Sequence, residues 1–244
     1  MTKSIQSAMA WCGFAFVGVF FAGLVIAGFF PPVPPDNTAQ EVADQYVQDK
    51  DRILAGAVIM MISTCFILPF TAVISAQMAR IEGRWTPLAY LNLAAGTVGM
   101  VAALLPVLFF IGIAYRPENR DPELIQAFND FAWVPFVINW PPAFVEAVCL
   151  AVVIFADKRP NPVYPRWVAY FMLWCAIGFL PATGLAFFYD GPFAWNGLLS
   201  FWLAATLFGS FFLIMSWATL RAVKSQFAAG SPDADSAVPA LQTA

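Results

Sequence analysis

One carboxylate in this 244-residue chain stands apart from the other charged residues: Glu146 lies in the middle of a long apolar stretch running from 133 to 155. Around it Asn139, Pro142, Ala143, Glu146 and Cys149 recur at spacings of three and four, which on a helix gathers them into one small or polar stripe amid Val, Phe, Ile and Leu. The stretch centres near residue 144, so Glu146 falls about 3 Å from the midplane of a membrane-crossing helix. A carboxylate at that depth costs on the order of 2.5–3.5 kcal/mol even on a lenient insertion scale, unless protonation, pairing or water relieves it. Such a group is a candidate proton or ligand site. The competing expectation is interhelical glue: a protonated Glu146 hydrogen-bonded to a freed carbonyl, or to a Thr or Asn of a neighbouring helix.

Pro141 and Pro142 remove two backbone donors just upstream of Glu146 and free carbonyls near residues 137 and 138, so the helix is expected to kink or break there. Irregular backbone at membrane depth is tolerated only where neighbouring helices or a wet cavity satisfy it. Glu146, Asn139, Pro141 and Pro142 together form the candidate ligand or proton site. Its cavity or packing partners come from other apolar runs: Asn92 with Gly96 and Gly99 in the third, Thr64 and Thr71 in the second. Small-residue faces of this kind also serve simply to pack helices closely. Trp140, Trp174 and Trp202 lie deep in their runs, facing either lipid or an internal aromatic cavity. Pro69, Pro106 and Pro181 add kinks elsewhere, and transporters use broken helices to line their sites.

Much chemistry is excluded. The chain has no histidine, so imidazole-ligated haem, copper or di-iron, zincin motifs and Ser-His or Cys-His nucleophile pairs cannot be built from it. The four lysines flank the apolar runs, and the four cysteines lie singly within them without a C-x-x-C spacing. There is no Gly-rich phosphate loop, no calcium-loop spacing and no paired carboxylates. No catalytic residue, metal, cofactor or nucleic-acid partner is predicted.

The elements that must position Glu146 follow from composition. The chain is 61% hydrophobic and 11% charged, against about 45–50% and about 25% for a soluble domain. Its 25 Phe and nine Trp suit a lipid-facing wall. The fold class expected is an all-α integral membrane protein, a six-transmembrane-helix bundle occupying 1–226 with spans at 8–30, 53–78, 88–115, 133–155, 167–189 and 195–220. The first run is longer than a signal-peptide core and lacks a small-x-small cleavage site, so it reads as an uncleaved first helix. Residues 227–244, rich in Ala, Ser, Pro and Asp, are expected to form a disordered cytoplasmic tail.

Eight of the twelve Lys and Arg fall on the side of the two termini, against Lys50, Arg52, Arg116 and Arg120 on the other, which places both termini in the cytoplasm of a cell-membrane protein. Ten of the fifteen acidic residues fall on the outer side. There Thr38 or Asn37 is expected to cap a helix reaching about Gln48, and Asp121 with Pro122 a second reaching about Phe128, so that short external helices cap the outer face. Val42, Tyr46, Leu124 and Phe128 would supply their apolar face. Trp11, Trp85, Trp167 and Trp217 mark inner span ends, Trp133 and Trp195 outer ones. A Phe-Ala-Trp triplet ends at each of the last two, a recurrence that chance explains well in so aromatic a chain.

Three function classes remain. The first is a binder or transporter of a small apolar or protonatable molecule centred on Glu146. The second is a non-catalytic accessory or scaffold subunit of a membrane complex, docking through its aromatic wall or its acidic outer cap; the partners to expect across these classes are the lipid bilayer, a small hydrophobic ligand, and a homo-oligomer or membrane-complex partner. The third and weakest is an intramembrane enzyme using Glu146 with Asn139 or a water.

Overall fold

A computed structural model describes residues 2–228, and among these the regular structure is helical throughout. The helices are α1 (Lys3–Ala27), α2 (Ala39–Gln48), α3 (Lys50–Ser63), α4 (Ile67–Glu82), α5 (Pro87–Ala114), α6 (Pro122–Ile138), α7 (Pro141–Ala156), α8 (Arg166–Phe179) and α9 (Leu203–Ala228). Six segments are long and apolar enough to cross a membrane: α1, Lys50–Glu82, α5, Pro122–Ala156, Arg166–Ala186 and Gly191–Ala228. The chain is therefore a multi-pass membrane protein. Each segment packs on the next in sequence, and α9 returns to pack on α1, which closes a ring of six. The tightest approach in that ring is between α1 and α3. A Cβ added to Gly23 would sit 2.8 Å from the Gly56 carbonyl oxygen, so only glycine lets these two backbones meet.

Four of the six segments are interrupted, three of them beside prolines. Pro69 has no N–H for the carbonyl of Cys65, and the second segment passes through a 3-10 turn at Thr64–Phe66 between α3 and α4. Ser63 and Thr64 steady that turn by donating to the carbonyls of Met60 (2.6 Å) and Met61 (2.7 Å). The fourth segment breaks at Asn139 and Trp140, between α6 and α7, directly before Pro141 and Pro142 as expected. At Pro181 α8 gives way to a 3-10 stretch, Leu180–Ala186. The sixth segment enters through a π turn at Leu198–Trp202, where the Trp202 N–H donates to the Gly197 carbonyl five residues back at 3.3 Å. Pro106 and Pro135, in contrast, lie inside the continuous helices α5 and α6.

Several expectations need correction. No separate short helix ends near Phe128: nothing in Asn129–Ala132 interrupts a helix, so the one capped by Asp121 runs unbroken to Ile138 as α6. Leu124 and Phe128 point away from the packed interior, and Ile125 is the buried residue of that turn. The Thr38 capping box does form, with the Glu41 N–H donating to Thr38 Oγ1 (3.3 Å) and the Thr38 N–H to Glu41 Oε2 (2.8 Å). α2 then buries Val42 and Tyr46, and the Tyr46 hydroxyl donates to Asn129 Oδ1 on α6 at 3.0 Å. Trp133 and Trp195 are not belt residues. Both are buried and stack on one another, centroids 6.3 Å apart and planes at 14°, with Phe29 and Phe110 around Trp133. The fifth segment leaves helical backbone before Phe187, short of the expected 189. At the other end of the chain α9 includes Phe227 and Ala228, where a tail was expected; the remainder of that tail, 229–244, lies outside the described residues.

Candidate functional site

The break between α6 and α7 sets the site. Asn139 leaves helical geometry (φ −78°, ψ 48°), Pro141 and Pro142 start α7, and Glu146 follows one turn later on the face turned into the ring. Gly96 of α5 sits opposite. A Cβ there would lie 2.6 Å from Glu146 Oε1 and would collide with the Thr71 side chain, so the missing side chain at Gly96 is what admits both groups.

Glu146 lines a cavity of about 130 Å³ to which all six segments contribute, through Phe20, Ile67, Gly96, Glu146, Phe179 and Phe208 among others. An apolar cavity of roughly 150 Å³ holds a molecule the size of benzene, so this one suits a compact ring or short branched chain. Every interruption in the ring borders it. Ile67 follows the 3-10 turn of the second segment, Asn139 and Trp140 form the break of the fourth, Phe179 ends α8, and Ser200 and Phe201 belong to the π turn.

The wall is mostly aromatic. Phe20 and Phe136 lie parallel, centroids 6.0 Å apart and planes at 9°, and Phe208 meets Phe212 edge-on at 5.0 Å. Its polar groups are few, and their hydrogen bonds differ. Trp140 Nε1 donates to Thr183 Oγ1 at 3.0 Å, which leaves only its ring for the cavity. Ser200 Oγ donates to the Phe193 carbonyl at 2.8 Å. Glu146 is 9% exposed, and among the described residues no donor reaches its carboxyl; the Asn139 carboxamide is likewise without a hydrogen bond. No three Cys, Asp or Glu side chains among the described residues come together as a metal would require.

Of the residues singled out from sequence, Glu146, Asn139, Pro142 and Trp140 share this wall. Pro141 starts α7 on its exposed side. Thr71 abuts the carboxyl across Gly96. Asn92 lies apart, fully buried, donating through Nδ2 to Ser75 Oγ at 3.0 Å while its Oδ1 has no partner. Thr64 serves its own turn. Trp174 is 73% exposed on the outside of the ring, and Trp202 packs outside the cavity on Phe30, centroids 5.2 Å apart. Sequence reasoning missed Ser200 and the α9 wall. The signal for the latter is a small and aromatic stripe at helical spacing, Phe201, Ala204, Ala205, Phe208 and Phe212.

A second polar region gathers residues from the segment ends at Gln6, Gln77, Asp157 and Gln226. Asp157, 3% exposed, accepts the Arg159 N–H (3.2 Å) on Oδ1 and the Val163 N–H (2.9 Å) on Oδ2, with the Arg159 guanidinium 3.5 Å away. That guanidinium also donates to the Arg80 carbonyl. Gln77 Nε2 donates to Gln6 Oε1 (2.8 Å) and Gln226 Oε1 (3.1 Å), and the Tyr164 and Thr219 hydroxyls are 3.2 Å apart. Glu82 caps α5 by accepting the N–H groups of Leu88 (3.0 Å) and Ala89 (2.7 Å). Comparison of the chain with protein-family models, curated proteins and solved structures finds no match.

Proposed function

We propose that this protein binds a small apolar or protonatable molecule within its ring of six segments and carries it across the cell membrane, both termini being cytoplasmic and Glu146 being the group that recognises the cargo. The observation carrying this reading is a nine-tenths buried carboxyl without a hydrogen-bond partner, turned onto the wall of a cavity. A carboxyl serving as glue between helices would have its donor in the protein. One without a donor keeps its desolvation cost until something enters beside it. The four helix interruptions bordering the cavity add support by analogy, since carriers build central sites from discontinuous helices.

Occupancy of the cavity is the first test. Toluene added to the purified full-length protein in lipid nanodiscs should bind saturably and raise the melting temperature. Ala205→Trp, which fills the cavity from α9, should abolish both effects; equal partitioning of toluene with either protein would defeat the reading. Orientation is tested by single cysteines in intact cells. Asp44→Cys, on α2, should react with an impermeant thiol reagent and Lys158→Cys should not, and the reverse pattern would overturn the topology.

A further inference from the structure

The polar inventory of the cavity wall is lopsided, and the imbalance specifies a class of ligand, an assignment that rests on the proposed binding role and deepens it. Glu146, when ionised, offers carboxyl oxygens that accept no hydrogen bond among the described residues, the Thr71 hydroxyl lying across Gly96 from them. Ser200 has committed its hydrogen to the Phe193 carbonyl and is fully buried, so it brings no donor to the cavity. Trp140 has committed its indole N–H to Thr183. Asn139 adds a carbonyl oxygen, and its amide is the one wall donor still available among these four. No Lys or Arg lines the wall. A site rich in acceptors, poor in donors and free of cations favours a ligand that donates hydrogen bonds and carries positive charge. The rest of the surface agrees, because the faces of Phe and Trp rings attract a desolvated cation. The volume suits a molecule whose apolar part is a ring or branched chain of roughly benzene size.

We infer that the ligand is a compact organic amine, bound as its ammonium ion with N–H groups donated to Glu146 and Asn139 and its apolar body among the Phe rings. A quinone, ketone or ether of the same size would bring only acceptors to a wall already full of them. An anion would meet the carboxylate unscreened.

Three probes built on one benzyl group decide the matter: benzylamine, benzyl alcohol and toluene, with binding measured on the full-length protein in nanodiscs at neutral pH. A charge-assisted hydrogen bond to a largely buried carboxyl should make benzylamine bind about tenfold or more tighter than benzyl alcohol. Glu146→Gln keeps the side-chain volume and should erase that ratio. If this variant cannot be purified folded, Asn139→Ala decides instead; the Asn139 side chain makes no hydrogen bond among the described residues, and its loss should lower the ratio by about threefold. Benzyl alcohol or toluene matching benzylamine in the unaltered protein, or a ratio unmoved by the variants, overturns the amine assignment and leaves the cavity reading intact. Saturable binding of none of the three overturns both.

Discussion

The cavity and the polar cluster around Asp157 bury similar side chains to opposite effect. In the cluster a carboxylate and three glutamines from distant parts of the chain are held by backbone N–H groups and by one another. In the cavity a carboxyl and a carboxamide have no partner in the protein. Desolvation costs act in both places, so the difference lies in what offsets them. In the first case the protein supplies the second half of each bond, and the group specifies packing. In the second the missing half must come from outside. Lack of a partner alone does not mark a site: Asn92 Oδ1, Trp133 Nε1 and Ser216 Oγ are also unpaired, but they are sealed in packed interior. Unpaired polarity combined with open volume is what distinguishes Glu146.

Substitutions in the two regions should have opposite effects on stability. The largest effect is expected at Asp157→Ala, which strands two backbone N–H groups and should cost about 3 kcal/mol of stability in denaturant titrations. A loss within error would mean that the cluster is not structural. Glu146→Leu should act in the other direction, stabilising by about 1–2 kcal/mol because an unpaired polar group gives way to an apolar one of similar volume, while benzylamine binding disappears. Destabilisation on the scale of Asp157→Ala would make Glu146 glue after all. Tyr164→Phe removes one hydrogen bond to Thr219 and should cost about 1 kcal/mol, measured as a lowered melting temperature.

The smallest effect is a control outside both regions. Lys50 Nζ lies 2.9 Å from Glu118 Oε1, and this hydrogen bond holds the Glu118 carboxyl below its ordinary value of 4.5. A depressed carboxyl stabilises the fold above its ordinary value, and the contribution is lost as pH falls through the lower folded value. The difference in stability between the unaltered protein and Lys50→Met should therefore be slight near neutrality and vanish in acid. A difference that grows with acidification would contradict the sign.

What could be read in the sequence was local. Six apolar runs, the break before Pro141 and Pro142 and the Thr38–Glu41 capping box each depend on residues within a few positions of one another, through span length, a missing N–H or a first-turn hydrogen bond. The local readings that failed did so through overextension. A cap at Asp121 says where α6 begins, and nothing before the prolines tells it to stop. Trp133 and Trp195 have the positions of belt residues, yet they stack on each other across 62 positions of chain, which no local pattern encodes.

Hydropathy and helical rise act residue by residue, so the sequence alone was enough to show a helical membrane protein with a carboxylate inside its fourth apolar run. Only the tertiary structure decided what surrounds that carboxylate. Gly96 and Thr71 press against it, the rings of α1 and α9 close the wall, and the Trp140 and Ser200 donors of that wall are already committed elsewhere. Partners and empty space are properties of segments packed together, and a helix carries no record of which side chains will be absent from its neighbour.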